Sequence, residues 1–279
     1  MVKIGNYNIM RVERDVDFGV YLVEPDGDGT EILLPARYVP ENVTVGTDLR
    51  VFIYTDSEDR LIATTEKPFA TVGQFAFLQV NAVNRVGAFL DWGLPKDLLV
   101  PFKEQQSKMV SGGVYPVYVY LDMTTKRVAA SARLEKYLGN VFPDYSVGQE
   151  VNVLVWKQTE IGYKVIVNNL HQGMIYFNEI KRNLVIGENV NAYVRKVRED
   201  GKLDLTLAGS TQGRVEDVAE KIMSMLKEKS RLSVHESSSP EEIKAVFDCS
   251  KKDFKRALGK LYKEHKLLIM DNEIIAVSD

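Results

Sequence analysis

Six cations fall within one short stretch near the C-terminal end of the chain: Lys251, Lys252, Lys255, Arg256, Lys260 and Lys263. On a helical projection with Lys251 at zero, Lys255 lies at about 40°, Lys252 at about 100°, Lys263 at about 120°, Arg256 at about 140° and Lys260 at about 180°. Phe254, Ala257, Leu258 and Leu261 fall between about 240° and 340°, on the other side. A helix built from this segment therefore parts its charge cleanly from its apolar residues. A cationic face of this kind displaces counterions from phosphates. Lysine predominance suits phosphate contact better than base-edge readout, which favours arginine, asparagine or glutamine. The competing reading is an ordinary solvated face with snorkelling lysines.

Aromatic side chains form a second recurring set. A glycine phrase appears as Phe18-Gly19-Val20-Tyr21-Leu22, Val86-Gly87-Ala88-Phe89-Leu90 and Ile161-Gly162-Tyr163-Lys164-Val165. In a strand, successive side chains point to opposite faces. With Val20 and Leu22 inward, Tyr21 faces away from the core, and the same count turns Phe89 and Lys164 outward. Phe18, Tyr21, Phe89 and Tyr163 are the candidate stacking rings, each worth about 1–3 kcal/mol against an unpaired base. Arg60, Arg127 and Lys202 open the closing strand of each copy, where a cation would meet a nucleic-acid backbone. The alternative for any one ring is the barrel interior, where aromatics mostly reside.

These side chains need scaffolds, and the repetition defines them. Each glycine phrase leads to an apolar burst: EILLPARYV from Glu31, DLLVPFKEQ from Asp97 and QGMIYFNEI from Gln172. Strands opened by glycine follow at VGTDLRVFIY, GGVYPVYVYLD and IGENVNAYVRKV, then short closing strands at DRLIATTEK, KRVAASARL and GKLDLTLAG. Short strands separated by turn residues at this spacing predict small Greek-key barrels in tandem. TVGQFAFLQV and SVGQEVNVLVW mark one structural point twice. Short helical turns are expected within Lys103–Lys108 and Asn178–Arg182.

Beyond the third copy the period changes. Val215, Val218, Ala219, Ile222, Met225 and Leu226 recur at three and four, predicting an amphipathic helix. Ser239, Pro240 and Glu242 form a capping box at the start of a second helix. Ser250, with Asp253, caps the cationic third helix, and LLIMDNEIIAV reads as a hairpin about Asp271-Asn272. Three helices and a hairpin predict a winged helix. The fold class is mostly β, with three five-stranded OB-type barrels at 1–67, 68–143 and 144–212 and an α+β winged helix at 213–279.

Composition is that of an ordinary globular protein, 45% hydrophobic and 27% charged. No apolar run reaches the roughly 20 residues of a membrane span, and the N-terminus lacks a signal-peptide pattern. Cys249 is the single cysteine, so no intrachain disulfide forms and a cytoplasmic location is expected. Net charge is −3, but its distribution is uneven. Residues 1–67 carry 7 Lys and Arg against 13 Asp and Glu, whereas 68–143 carry 8 against 5. The first barrel is thus a poorer host for phosphate than the second. His171, His235 and His265 are widely separated, and neither a metal-spaced cluster nor a phosphate loop or nucleophile elbow is present. No catalytic residue, metal or cofactor is expected.

The VGQ start, glycine phrase, apolar burst and closing Asp…Arg pattern resemble the S-one domain, the RNA-binding barrel named after the largest ribosomal small-subunit protein. Three such units followed by a winged helix resemble the bacterial conserved virulence factor B family along the whole chain. The resemblance implies an RNA-binding protein that influences gene expression. It also implies exposed aromatics in the glycine phrase, a histidine in the apolar burst and an Asp/Arg pair at the last strand. Unit one supplies Phe18, Tyr21, Asp56 and Arg60, with Pro35 in place of histidine. Unit two supplies Phe89, Asp122 and Arg127, with Pro101 for histidine. Unit three has Ile161 and Lys164 for the aromatics, Tyr176 for histidine and Lys202 for arginine. The expected function is non-catalytic holding of single-stranded or loop RNA. Competing readings are a protein-binding adaptor on ribosome or polymerase and a winged-helix DNA-binding regulator.

Overall fold

In the computed structural model, residues 1–180, 182–207, 211–270 and 272–276 are described, with backbone alone for 211–214. The first barrel comprises β1 (Asn6–Val16), β2 (Gly19–Val23), β3 (Ile32–Pro35), β4 (Asp48–Thr55) and β5 (Leu61–Thr64). The second comprises β6 (Phe75–Val83), β7 (Gly87–Leu90), β8 (Leu98–Pro101), β9 (Val114–Leu121) and β10 (Val128–Ser131). The third comprises β11 (Glu150–Gln158), β12 (Gly162–Val167), β13 (His171–Tyr176), β14 (Asn189–Val197) and β15 (Leu203–Thr206). Each sheet closes in the same order, with its third strand beside its fifth and its fifth beside its fourth. Closure leaves no unpaired strand edge.

The repeated phrases have physical causes. A Cβ on Gly19 would lie 2.2 Å from the Leu34 carbonyl oxygen, and one on Gly87 2.3 Å from that of Val100. Only glycine admits the third strand so close to the second. At both VGQ sites the glutamine side chain closes the turn: Gln74 Oε1 accepts from Thr71 N at 2.9 Å, and Gln149 Oε1 from Ser146 N at 3.0 Å. A short 3-10 turn follows the third strand of each barrel, at Ala36–Tyr38, Phe102–Glu104 and Phe177–Glu179. The latter two overlap the turns expected from sequence, although Lys181 lies outside the described residues.

Alternation fills each interior: Met10, Leu22, Leu34, Val51 and Ile53 belong to the first core, and Val153, Val165, Ile175 and Val194 to the third. The unbroken apolar run of β4 buries both of its faces. Phe52 and Tyr54 point out of their own barrel and join the core of the second beside Trp92. Phe52 meets Trp92 edge-on at 5.7 Å and Tyr7 at 5.6 Å. Lys96 Nζ donates to the Thr55 and Asp56 carbonyls at 2.9 and 2.5 Å. The chain falls into two compact units, one holding the first two barrels and the other the third barrel with the helical domain.

That domain has α1 (Thr211–Lys229), β16 (Arg231–Leu232), α2 (Pro240–Phe247), α3 (Lys251–Lys263), β17 (Leu267–Ile269) and β18 (Ile274–Ala276). β16 was not expected from sequence; at two residues it is too short to show a period. It pairs with β18, which pairs with β17, completing the sheet of a winged helix. Asp271, in the expected hairpin turn, lies outside the described residues. Glu242 N donates to Ser239 Oγ at 3.2 Å and Ser239 N to Glu242 Oε2 at 2.9 Å, the reciprocal box read from sequence.

Candidate nucleic-acid interface

Tyr21 stands on the outer face of β2, opposite Arg14 of β1 and Leu33 of β3. Phe18 lies just before the strand, 58% exposed, with its ring edge-on to Tyr21 at 6.4 Å and 83°. The Arg14 guanidinium lies over the Tyr21 ring at 3.9 Å. It also donates two bonds to Glu31, at 2.9 and 2.7 Å. That pair lowers the Glu31 pKa and raises that of Arg14. Arg60 donates two bonds to Asp56, at 2.9 and 2.8 Å, and reaches Glu58 at 2.9 Å. Burial works to raise the Asp56 pKa, yet the bonds from Arg60 outweigh it and hold it low. The first barrel thus offers a pair of accessible rings flanked by arginines that carboxylates already engage.

In the second barrel Phe89 is half-buried on the matching outer position, opposite Ala82 and Leu99. Arg127 forms an ion pair with Asp59 of the first barrel. Asp122 serves its own turn, accepting from Thr124 N at 2.9 Å. Sequence reasoning overlooked two aromatic features here. Phe102, the residue after Pro101, is 48% exposed. Tyr118 and Tyr137 stack at 4.0 Å and 19°, with Tyr120 beside them. The alternation of Val117 and Val119 inward with Tyr118 and Tyr120 outward in β9 was the available signal.

The third barrel corrects one expectation. Tyr163 is buried at 2% exposure and packs edge-on against Phe177 at 5.4 Å, so its ring has no face for a base. The register explains this: Tyr163 pairs with Gln158 as Val20 pairs with Asp15 and Ala88 with Val83, all at the inward position. Lys164 takes the place of Tyr21 and Phe89. Tyr176 accepts from Arg198 and donates to Asp204 Oδ1 at 3.3 Å, while Arg198 Nε donates to the same oxygen at 2.8 Å. The bond to Asp204 raises the Arg198 pKa. Arg198 N donates to Lys202 O at 2.9 Å, as Asp56 N does to Arg60 O. Arg198 therefore stands where the other two barrels carry aspartate, a swap absent from the motif reading of unit three. Lys202 is held by Asp200 at 2.7 Å.

α3 carries the cationic face expected from sequence. Ser250 caps it, accepting from Asp253 N at 3.1 Å, and Phe254, Ala257, Leu258 and Leu261 pack inward. Lys251 donates to the Ser238 carbonyl at 2.8 Å, Lys255 to Glu236 at 2.9 Å and Lys260 to Glu216 at 3.3 Å. Lys252, Arg256 and Lys263 are exposed and have no hydrogen bond or ion pair among the described residues. Of the cations expected at this face, these are the ones left for a ligand. Among the described residues no group of His, Cys, Asp and Glu is placed to hold a metal ion, and no helix is long and apolar enough to cross a membrane.

Tandem OB barrels with exposed rings and a winged helix with a cationic third helix define a multidomain protein of nucleic-acid-binding type. Residues 4–66 match the S1 domain family and residues 220–275 the CvfB-like winged helix domain. The chain is 29% identical to the uncharacterized protein YitL of Bacillus subtilis, over 94% of this chain and 90% of that protein. It is 26% identical to conserved virulence factor B of Staphylococcus saprophyticus, over 91% and 87% of the two chains. The likeness to conserved virulence factor B extends along most of both chains. A crystal structure from Streptococcus pneumoniae, described as a multidomain protein with nucleic acid binding domains, covers 98% of both chains at 24% identity, with a TM-score of 0.41. The matched domains support a nucleic-acid-binding role, and neither belongs to an enzyme family.

Proposed function

We propose that this protein holds single-stranded or loop RNA without chemical turnover and so regulates gene expression after transcription. It works as four units, at 1–67, 68–143, 144–212 and 213–279. The unpaired cations Lys252, Arg256 and Lys263 on the face of α3 opposite its core carry the reading. They neutralise phosphates, while Phe18, Tyr21 and Phe89 supply rings for unpaired bases. Lys255, Lys260, Arg60, Arg127, Tyr176 and Lys202 contribute only by exchanging a present partner for phosphate.

Charge reversal at Lys252, Arg256 and Lys263 together tests it. Affinity for unstructured RNA falls, and the slope of log affinity against log salt flattens by about 2, since each phosphate contact to a single strand contributes roughly 0.7. Unchanged affinity and slope remove α3 from the mechanism. A protein-docking reading is favoured by one observation, the engagement of Arg11, Arg14 and Arg60 by carboxylates in the acidic first barrel. A protein partner retained after nuclease treatment, with no binding to purified RNA, would select it. Displacement of RNA by duplex DNA at equal phosphate would select a DNA-binding regulator.

A further inference from the structure

Gly259 stands in the middle of the cationic face of α3, and the fold does not require a glycine there. On the helical projection it lies at about 80°, between Lys255 at about 40° and Lys252 and Lys263 at about 100° and 120°. Its φ is not positive, and a Cβ built on it meets no heavy atom within 4 Å. Gly19 and Gly87 differ, because the neighbouring strand touches the space a side chain would fill. A glycine inside a helix destabilises it relative to alanine, so this position forgoes stability with no return from packing or dihedral angle. A shallow groove of about 560 Å³ opens beside it, lined by Arg256, Gly259, Lys260, Lys263 and Glu264. The Glu264 carboxylate at its rim is engaged by Lys266 at 2.7 Å.

We propose that Gly259 is the floor of a notch that seats the phosphodiester backbone of RNA against the main chain of α3. Lys252, Arg256 and Lys263 close on phosphate oxygens from its sides. Without a Cβ the strand approaches the helix by the depth of a methyl group, which shortens every cation-to-phosphate distance and strengthens each attraction. Charge complementarity selects the occupant: three unpaired cations surround the notch, and the acids nearest it are already paired. The inference rests on the reading that α3 meets RNA.

The test titrates the full-length chain with labelled oligo-uridine RNA. Gly259→Ala raises the unfolding temperature yet weakens binding. Gly259→Leu, also a good helix former, weakens it by roughly tenfold, the worth of one charge-assisted contact. Tighter folding together with looser binding is an outcome that misfolding cannot produce. Wild-type affinity in Gly259→Leu, with binding lost on charge reversal of Lys252, Arg256 and Lys263, overturns the notch and leaves the RNA reading standing. Wild-type affinity in both overturns the reading as well. Displacement of the RNA by poly-glutamate at equal charge would make the occupant an acidic peptide and overturn the notch as an RNA seat.

Discussion

Tyr21 and Tyr163 occupy neighbouring positions of the same repeated phrase, yet one ring lies on the outer face of its barrel and the other is sealed within. A shift of one residue in a strand exchanges core for surface, so the two tyrosines answer to different mutations. Tyr163→Ala removes a core ring and lowers stability by about 3–5 kcal/mol in urea unfolding. Phe18→Ala leaves the unfolding midpoint near wild type and, on the proposed RNA-holding role, weakens RNA binding by about 1–3 kcal/mol, as Tyr21→Ala also does to binding. A Phe18→Ala protein that binds RNA normally would remove the first barrel from the interface. Ion pairs follow a similar logic. Arg127 and Asp59 are 68 residues apart in sequence and meet only because the first two barrels pack together.

At the level of elements, β4 does two jobs. Val51 and Ile53 fill the first barrel while Phe52 and Tyr54 fill the second, and burial pushes the Tyr54 phenol up to about 12. Lys96 completes the joint by supplying protons to two carbonyls, and burial lowers its own pKa. Lys96→Met keeps the apolar stem but leaves those carbonyls without their donor. A loss of about 1.5–3 kcal/mol is expected in urea unfolding, the usual worth of hydrogen bonds from a charged group. A loss below about 0.5 kcal/mol would show that the aromatic cluster alone joins the barrels.

For the whole molecule, acid is the vulnerable direction. Glu104 is nearly buried, accepting from Ser131 Oγ at 2.7 Å and from Lys136 at 3.1 Å. Burial works to raise its pKa, but those bonds prevail and hold it below the ordinary glutamate range. Glu31, Asp48 and Asp59 are also lowered, each by a bonded arginine. A depressed carboxylate stabilises the fold above its unfolded pKa, and that contribution fades as pH falls through the folded one. The carboxylate contribution to stability is therefore level between about pH 5 and pH 8 and declines from about pH 4.5 downward, and Glu104→Gln makes the decline shallower. Denaturation midpoints measured from pH 6 to pH 3 check this; a midpoint that rises on acidification contradicts it.

The three barrels, the winged helix and the cationic side of α3 are all legible in the order of residues. These rest on local rules: a period of two, a period near 3.6, glycine at close strand approaches, and serine caps that satisfy the nearest amides. The inward position of Tyr163 was legible by the same count, from the outward place of Lys164. Which cations remain open depends instead on how the folded elements pack. Arg127 is taken by Asp59, Lys255 by Glu236 and Lys260 by Glu216, whereas Lys252, Arg256 and Lys263 stay free among the described residues. The physical reason is distance: ion pairing acts over a few ångströms, and partners far apart in sequence come that close only after the elements have packed.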